Sequence, residues 1–276
     1  MRAALLQITS SDDPAENIDV LRAMMREAAG KGAGFVLTPE VSNVVSLSKT
    51  HQKAVLRPEA EDPMLEALRR EAAALGVWLL IGSLALQSGD ADGRFANRSF
   101  LIGPGGGIVA RYDKIHMFDV QVTPEETFRE SEGYRPGDRA VVAETPFGKV
   151  GMSICYDLRF AHLYRRLAQA GAEILTVPAA FSPVTGAAHW EVLLRARAIE
   201  TGCFVLAPAQ TGRHAASRGP GRRTYGHSMV VAPWGEVLAD AGEETGITYV
   251  DLERSKVAEA RGKLPSLRHD RQFGGP

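Results

Sequence analysis

Short apolar runs rich in β-branched residues recur along the chain, separated by stretches with helical spacing. The runs cover residues 3–8, 35–38, 77–84, 99–102 and 108–112, then 150–154, 174–177, 203–207, 228–231 and 247–250. Many are apolar at consecutive positions, the pattern of strands covered on both faces. Between them, Asp12-Asp13-Pro14 supplies a cap and a first-turn proline, and Ile18, Leu21, Met25 and Ala28 then share one helical stripe. Leu65, Leu68, Ala72 and Leu75 form a second stripe, ended by Gly76. A third helix is expected after Cys155 and a fourth from about His189 to Thr201, closed by Gly202. Gly103-Pro104-Gly105-Gly106 and Pro233-Trp234-Gly235-Glu236 each join two strand-like runs, so part of the sheet system should be antiparallel. No linker, repeat or low-complexity block divides the chain. The reading is one α/β domain over residues 1–276, with sheet packed on sheet and helices outside. Residues 217–223 and the tail after Leu264 read as the mobile segments.

Composition narrows the class without choosing within it. Hydrophobic residues make up 45% of the chain and charged residues 24%, ordinary for a globular enzyme. A formal net charge of -1 provides no field that would favour nucleic acid or an anionic membrane surface. The first apolar run is too short for a secretory signal, and no stretch approaches the roughly 20 apolar residues that span a bilayer. Cys155 and Cys203 stand far apart in different contexts, which fits a reduced, cytoplasmic protein better than a disulfide framework. The histidines show no metal-binding spacing, and the glycines at 105–107 read as a turn, not a phosphate cradle. No metal and no cofactor is expected.

Three strand-like runs end in residues with chemistry. Glu40 follows residues 35–38, Lys114 follows 108–112, and Cys155 closes 150–154. Sites in α/β sheets gather beyond the carboxyl ends of strands, so the three could converge. Helix N–H groups after Cys155 would favour a thiolate there. Amide hydrolysis needs an activated nucleophile, a stabilised oxyanion and a protonated leaving nitrogen. Glu40 could move the proton, and Lys114 with the Tyr156 backbone N–H could hold the oxyanion. Spacing leaves alternatives open: a solvated loop glutamate, a surface-turn lysine and a buried apolar cysteine. His116 or His189 could also suggest a Cys–His pair, although His189 equally reads as a residue at its helix start.

Longer segments resolve this by resemblance. Leu37-Thr-Pro-Glu40, Tyr112-Asp-Lys-Ile-His-Met-Phe118 and Gly151-Met-Ser-Ile-Cys-Tyr-Asp-Leu-Arg-Phe160 resemble the three signature segments of the nitrilase superfamily, the carbon-nitrogen hydrolases. The likeness continues in order through Pro178-Ala-Ala-Phe181, Ala188-His-Trp-Glu191 and Tyr225-Gly-His-Ser228. It implies an αββα sandwich and a homodimer, with Glu40 as general base, Lys114 as oxyanion cation and Cys155 as nucleophile. It also implies a second active-site glutamate, Glu130 in Phe128-Arg-Glu-Ser131, set among Glu125, Glu126 and Glu132.

Within the superfamily, Ala207-Pro-Ala-Gln-Thr-Gly-Arg-His214 resembles the branch acting on deaminated glutathione, and other segments are shared with the ω-amidase branch. The basic stretch 213–223 departs from that pattern near where selectivity is expected to reside. The expected substrate is a small carboxylate-bearing amide, with Arg159, Phe181, Thr185, His189 and Arg213 as its candidate contacts. Arg159 could instead pair structurally with a carboxylate. The alternatives are an acyl or carbamoyl hydrolase or nitrilase with the same triad, and a catalytically silent binding homologue.

Overall fold

The computed structural model describes residues 1–124, 126–219 and 221–275, so Glu125, Pro220 and Pro276 lie outside the described residues. In chain order the first strands are β1 (Arg2–Gln7), β2 (Phe35–Leu37), β3 (Trp78–Gln87), β4 (Phe95–Ile102) and β5 (Ile108–Asp113). A small hairpin, β6 (Asp119–Gln121) and β7 (Thr127–Arg129), stands apart from the sheets. The next strands are β8 (Val141–Thr145), β9 (Gly148–Met152), β10 (Ile174–Thr176) and β11 (Phe204–Ala207). A second hairpin, β12 (Thr211–Arg213) and β13 (Arg223–Tyr225), precedes β14 (Met229–Val231), β15 (Val237–Asp240) and β16 (Gly246–Asp251).

Two six-stranded sheets result, ordered β16-β1-β2-β3-β4-β5 and β15-β14-β11-β10-β9-β8. The inner strands of each run parallel and the outer ones antiparallel, as the two tight turns required. One core lies between the sheets, where Ala3, Leu5, Phe35 and Leu37 meet Val150, Met152 and Leu175. Their alternate neighbours Ala4, Leu6, Val36 and Leu79 pack outward on α1 (Pro14–Gly30) and on a 13-residue helix, Pro63–Leu75. The consecutive apolar runs are thus strands buried on both faces.

Six α-helices are described: α1, α2 (Lys49–Val55), α3 (Pro63–Leu75), α4 (Ala161–Gln169), α5 (Pro183–Thr201) and α6 (Ser255–Lys263). Asp13 caps α1 by accepting from Ala15 N–H, and Gly76 and Gly202 close α3 and α5 in the left-handed conformation. With α4 and α5 outside the second sheet, the architecture is the αββα sandwich. No described helix is long and apolar enough to cross a membrane.

Several boundaries differ from expectation. The helix placed at His189–Thr201 starts six residues earlier, with Pro183 in its first turn, so His189 is an exposed mid-helix residue and not a cap. The tail after Leu264 is pinned to α4: Leu267 packs on the core, and Asp270 accepts from Arg165 and Gln169.

Candidate active site

The carboxyl ends of β2, β5 and β9 deliver Glu40, Lys114 and Cys155 to one cavity of about 400 Å³, lined also by Glu130. Gly82 in β3 makes this convergence sterically feasible. A Cβ there would stand 2.0 Å from the Thr38 carbonyl oxygen and 2.6 Å from Pro178 Cβ. The Glu40 turn and the Pro178 segment, whose carbonyl accepts the Cys155 N–H at 2.9 Å, both pass over that bare backbone. Val41 and Cys155 hold φ of 46° and 49°, a region costly for any side chain and especially for a β-branched one. Such strain persists where the surroundings over-determine the backbone.

Lys114 is the hub. Its Nζ donates to Glu40 Oε1 at 3.0 Å and to both oxygens of Glu130 at 2.9 Å. The second oxygen of Glu40 accepts from the Ala180 N–H at 2.9 Å, and Glu130 Oε2 accepts from the Phe118 N–H at 2.6 Å. Burial alone would push Glu40 upward, but the charge of Lys114, a hydrogen bond from the Cys155 thiol and Arg222 together hold it below the usual carboxylate range. Burial opposes the charge on Lys114, and Glu130 and Glu40 overcome it to hold the lysine well above its ordinary value.

Burial and then Glu40 push the Cys155 thiol well up. The expected thiolate-favouring helix is therefore corrected. A five-residue 3₁₀ turn, Cys155–Arg159, intervenes before α4, and the resting pair is a thiol beside a carboxylate.

Two positioning residues escaped the sequence reading. Asn97 Nδ2 donates to Glu40 Oε1 at 2.9 Å and reaches Glu130 Oε1 at 3.5 Å, while its carbonyl accepts the Lys114 N–H at 2.9 Å. Asp157 is fully buried and accepts from the Tyr112 hydroxyl (2.6 Å), His116 Nδ1 (2.7 Å), His116 N–H (3.0 Å) and Ile154 N–H (2.9 Å). It ties the lysine segment to the cysteine turn. His116 is thus an Asp157 partner stacked on Phe160, which removes the Cys–His reading. Polar residues within apolar runs were the available signal for both.

The other candidates divide. Phe181, Thr185 and Tyr156 line the cavity, as does Arg222, the member of the basic stretch 213–223 that reaches it. Arg159 packs over the rings of Phe181 and Tyr156 and contacts His189 Nδ1 at 3.3 Å; neither residue is part of the cavity wall, and no carboxylate pairs with Arg159 among the described residues. Arg213 is exposed at the end of β12, away from the cavity. Cys203 is fully buried, as expected of core.

Comparison with known proteins agrees with this geometry. The family described as carbon-nitrogen hydrolase matches residues 2–262. The chain is 39% identical over 269 residues to a deaminated glutathione amidase of Yersinia enterocolitica, covering 97% of this chain and 92% of that one. It is 38% identical over 270 residues to an omega-amidase of Homo sapiens, covering 98% and 95%. The C. elegans NitFhit protein has the same fold, with a TM-score of 0.87 at 36% identity over 98% of this chain and 65% of that longer one. Fold, site and relatives together define a hydrolase of amide C–N bonds. The chain belongs to the carbon-nitrogen hydrolase family.

Proposed function

We propose that this amidase acts through an acyl-enzyme on Cys155 and takes small linear amides that carry a carboxylate, as the names of its amidase relatives suggest. The observation that carries the mechanism is the thiol–carboxylate pair: Cys155 protonated beside an ionised Glu40, with Lys114 and Glu130 adjoining. Glu40 accepts the thiol proton as sulfur attacks the carbonyl carbon, and returns it to the departing nitrogen as the C–N bond breaks. The Lys114 ammonium and the Tyr156 N–H hold the oxyanion. Tyr156 suits that task because its N–H makes no backbone hydrogen bond among the described residues, unlike those of Cys155 and Asp157. Glu130 restrains Lys114 with both oxygens. Water, deprotonated by Glu40, then attacks the thioester and regenerates the thiol.

Both cysteines are unpaired, which suits the reducing cytoplasm. Ammonia release from a panel of ω-amide acids tests the reading, together with intact-mass analysis for an acyl adduct on Cys155. Cys155→Ala should be inactive and Cys203→Ala near normal. Full turnover by Cys155→Ala would sink the mechanism.

A further inference from the structure

Resting on the amidase reading, we infer that Arg222 is the residue that recognises the substrate's carboxylate. The basic stretch from Arg213 to Arg223 is held to the body of the protein at several points. His214 Nδ1 donates to the Ser10 carbonyl at 2.7 Å, Ser217 N–H and Oγ both donate to Asp12 Oδ2 at 2.7 Å, and the His214 N–H closes the neck on the Arg222 carbonyl at 2.9 Å. These anchors bring Arg222 back to the cavity wall while Arg213 remains outside. There Arg222 Nη2 donates to the Ala180 carbonyl, and its guanidinium lies over the Phe128 ring, 5.8 Å from the centroid. Its Nε–H is buried without a partner among the described residues.

Counter-charge separates Arg222 from the other cations of the wall. Lys114 is committed to Glu40 and Glu130, and Lys49 pairs with Glu132 at 3.1 Å. Arg129 is exposed and donates to its neighbour's carbonyl. Arg222 alone among them is partly buried with no ion-pair partner among the described residues. A half-buried guanidinium with spare donors matches a carboxylate, which it can grip through two parallel hydrogen bonds. The Ala180 peptide joins this group to the chemistry, since its carbonyl accepts from Arg222 and its N–H holds Glu40 Oε2. The carboxylate could sit on the acyl half or on the amine half of the amide, and the substrates separate these.

The test compares kcat/KM for glutaramic acid with that for its methyl ester, and for an N-acetyl amino acid with its ester, in wild type, Arg222→Gln, Arg222→Lys, Arg159→Gln and Arg213→Gln. Wild type should prefer the acid of one pair. Arg222→Gln should cut that preference by roughly 10- to 100-fold, the worth of a lost charge-assisted hydrogen bond. Arg222→Lys should restore part of it, and Arg213→Gln should leave it intact. Because the readout is a ratio, a general fall in rate does not imitate the result. Collapse in Arg159→Gln with Arg222→Gln unaffected overturns the assignment. So does an equal loss on acid and ester in Arg222→Gln with the acid limb of the pH profile moved up, which would make Arg222 a tuner of Glu40. Binding of glutarate to Cys155→Ala by calorimetry supplies a readout without turnover: the further Arg222→Gln change should weaken it by a similar factor, and equal affinity refutes the inference. Wild type inactive on every amide would instead defeat the amidase reading, while cleavage of acid and ester alike would spare that reading and defeat this one.

Discussion

Asn97 touches every charged member of the cluster, and neither neighbouring carboxylate can do its work for it. Its Nδ2–H stabilises the ionised form of Glu40, which is the form that accepts the thiol proton. Asn97→Ala should therefore raise the Glu40 pKa and move the acid limb of kcat/KM to higher pH, with kcat lowered by about 10-fold or more. A residue that merely filled space would reduce active protein without moving that limb, and an unmoved limb would refute the positioning role. In the wild type the signs point outward on both sides. Glu40 is held below the carboxylate range and Lys114 well above its own, so the profile should stay flat across neutral pH. A bell centred near pH 7 with steep limbs would mean that another group does the proton transfer. At this scale the ends of apolar runs only nominated Glu40, Lys114 and Cys155, and the resemblance of the segments around them is what made the three legible. Asn97 was not, because the strand reading began at Ser99, two residues past it. Arg222 was hidden in a charged stretch where spacing does not reveal which side chain turns inward.

Elements place these groups, and two positions show how. Gly82 in β3 is the space through which the Glu40 turn passes. Gly82→Ala should cost about 1–3 kcal/mol of stability through overpacking against backbone that cannot swing away. It should also lower kcat in the fraction that folds, since relief requires the Glu40 turn to move. Denaturant melts and active-site titration read the two effects separately, and unchanged kcat per titrated thiol would show that the turn does not respond.

The second position is His214, buried beneath the basic stretch. Its Nδ1 can only donate to the Ser10 carbonyl, and in the neutral ring Nε2 accepts from the Thr224 hydroxyl. Burial, with a smaller push from Arg222, takes its pKa down to about 4. The unfolded chain takes up that proton near pH 6.5, so stability present above this value is lost as pH falls toward 4. The full effect is on the order of 3 kcal/mol. Melting temperature against pH should show this fall, and His214→Gln should flatten it; an unchanged slope would place the titration elsewhere. Most strands of the two sheets and the caps of α1, α3 and α5 were readable from period and punctuation, while β8 and the β12–β13 hairpin were not. The short α2, the β6–β7 hairpin and the true start of α5 were not, because tertiary contacts and not local propensity define them.

At the scale of the whole molecule, exposed large apolar side chains gather along α5, beside others elsewhere such as Val20, Val109 and Phe273. Val184, Ala188, Val192 and Ile199 recur there at helical spacing, all exposed, and the exposed Trp234 lies in the β14–β15 turn beside them. Ile199 lies against Gly235, and Arg195 donates to the Gly235 carbonyl at 2.9 Å, so helix and turn form one continuous face. Contiguous exposed apolar surface of this kind marks an interaction site. A two-fold pairing would bury the same patch on both copies, bringing the second sheets of two sandwiches back to back through α5. The expected homodimer would have its seam on this helix, while residues 266–270 of the tail dock on α4 of their own chain. Val192, 68% exposed in the single chain, is the test position, because a charge there costs nothing to a monomer and a great deal in a dry interface. Light scattering should find a dimer for the wild type at micromolar concentration and a monomer for Val192→Asp, with the thermal transition of the variant lower and dependent on concentration no longer. A wild type that runs as a clean monomer would leave the α5 face without a partner of its own kind and end the dimer reading.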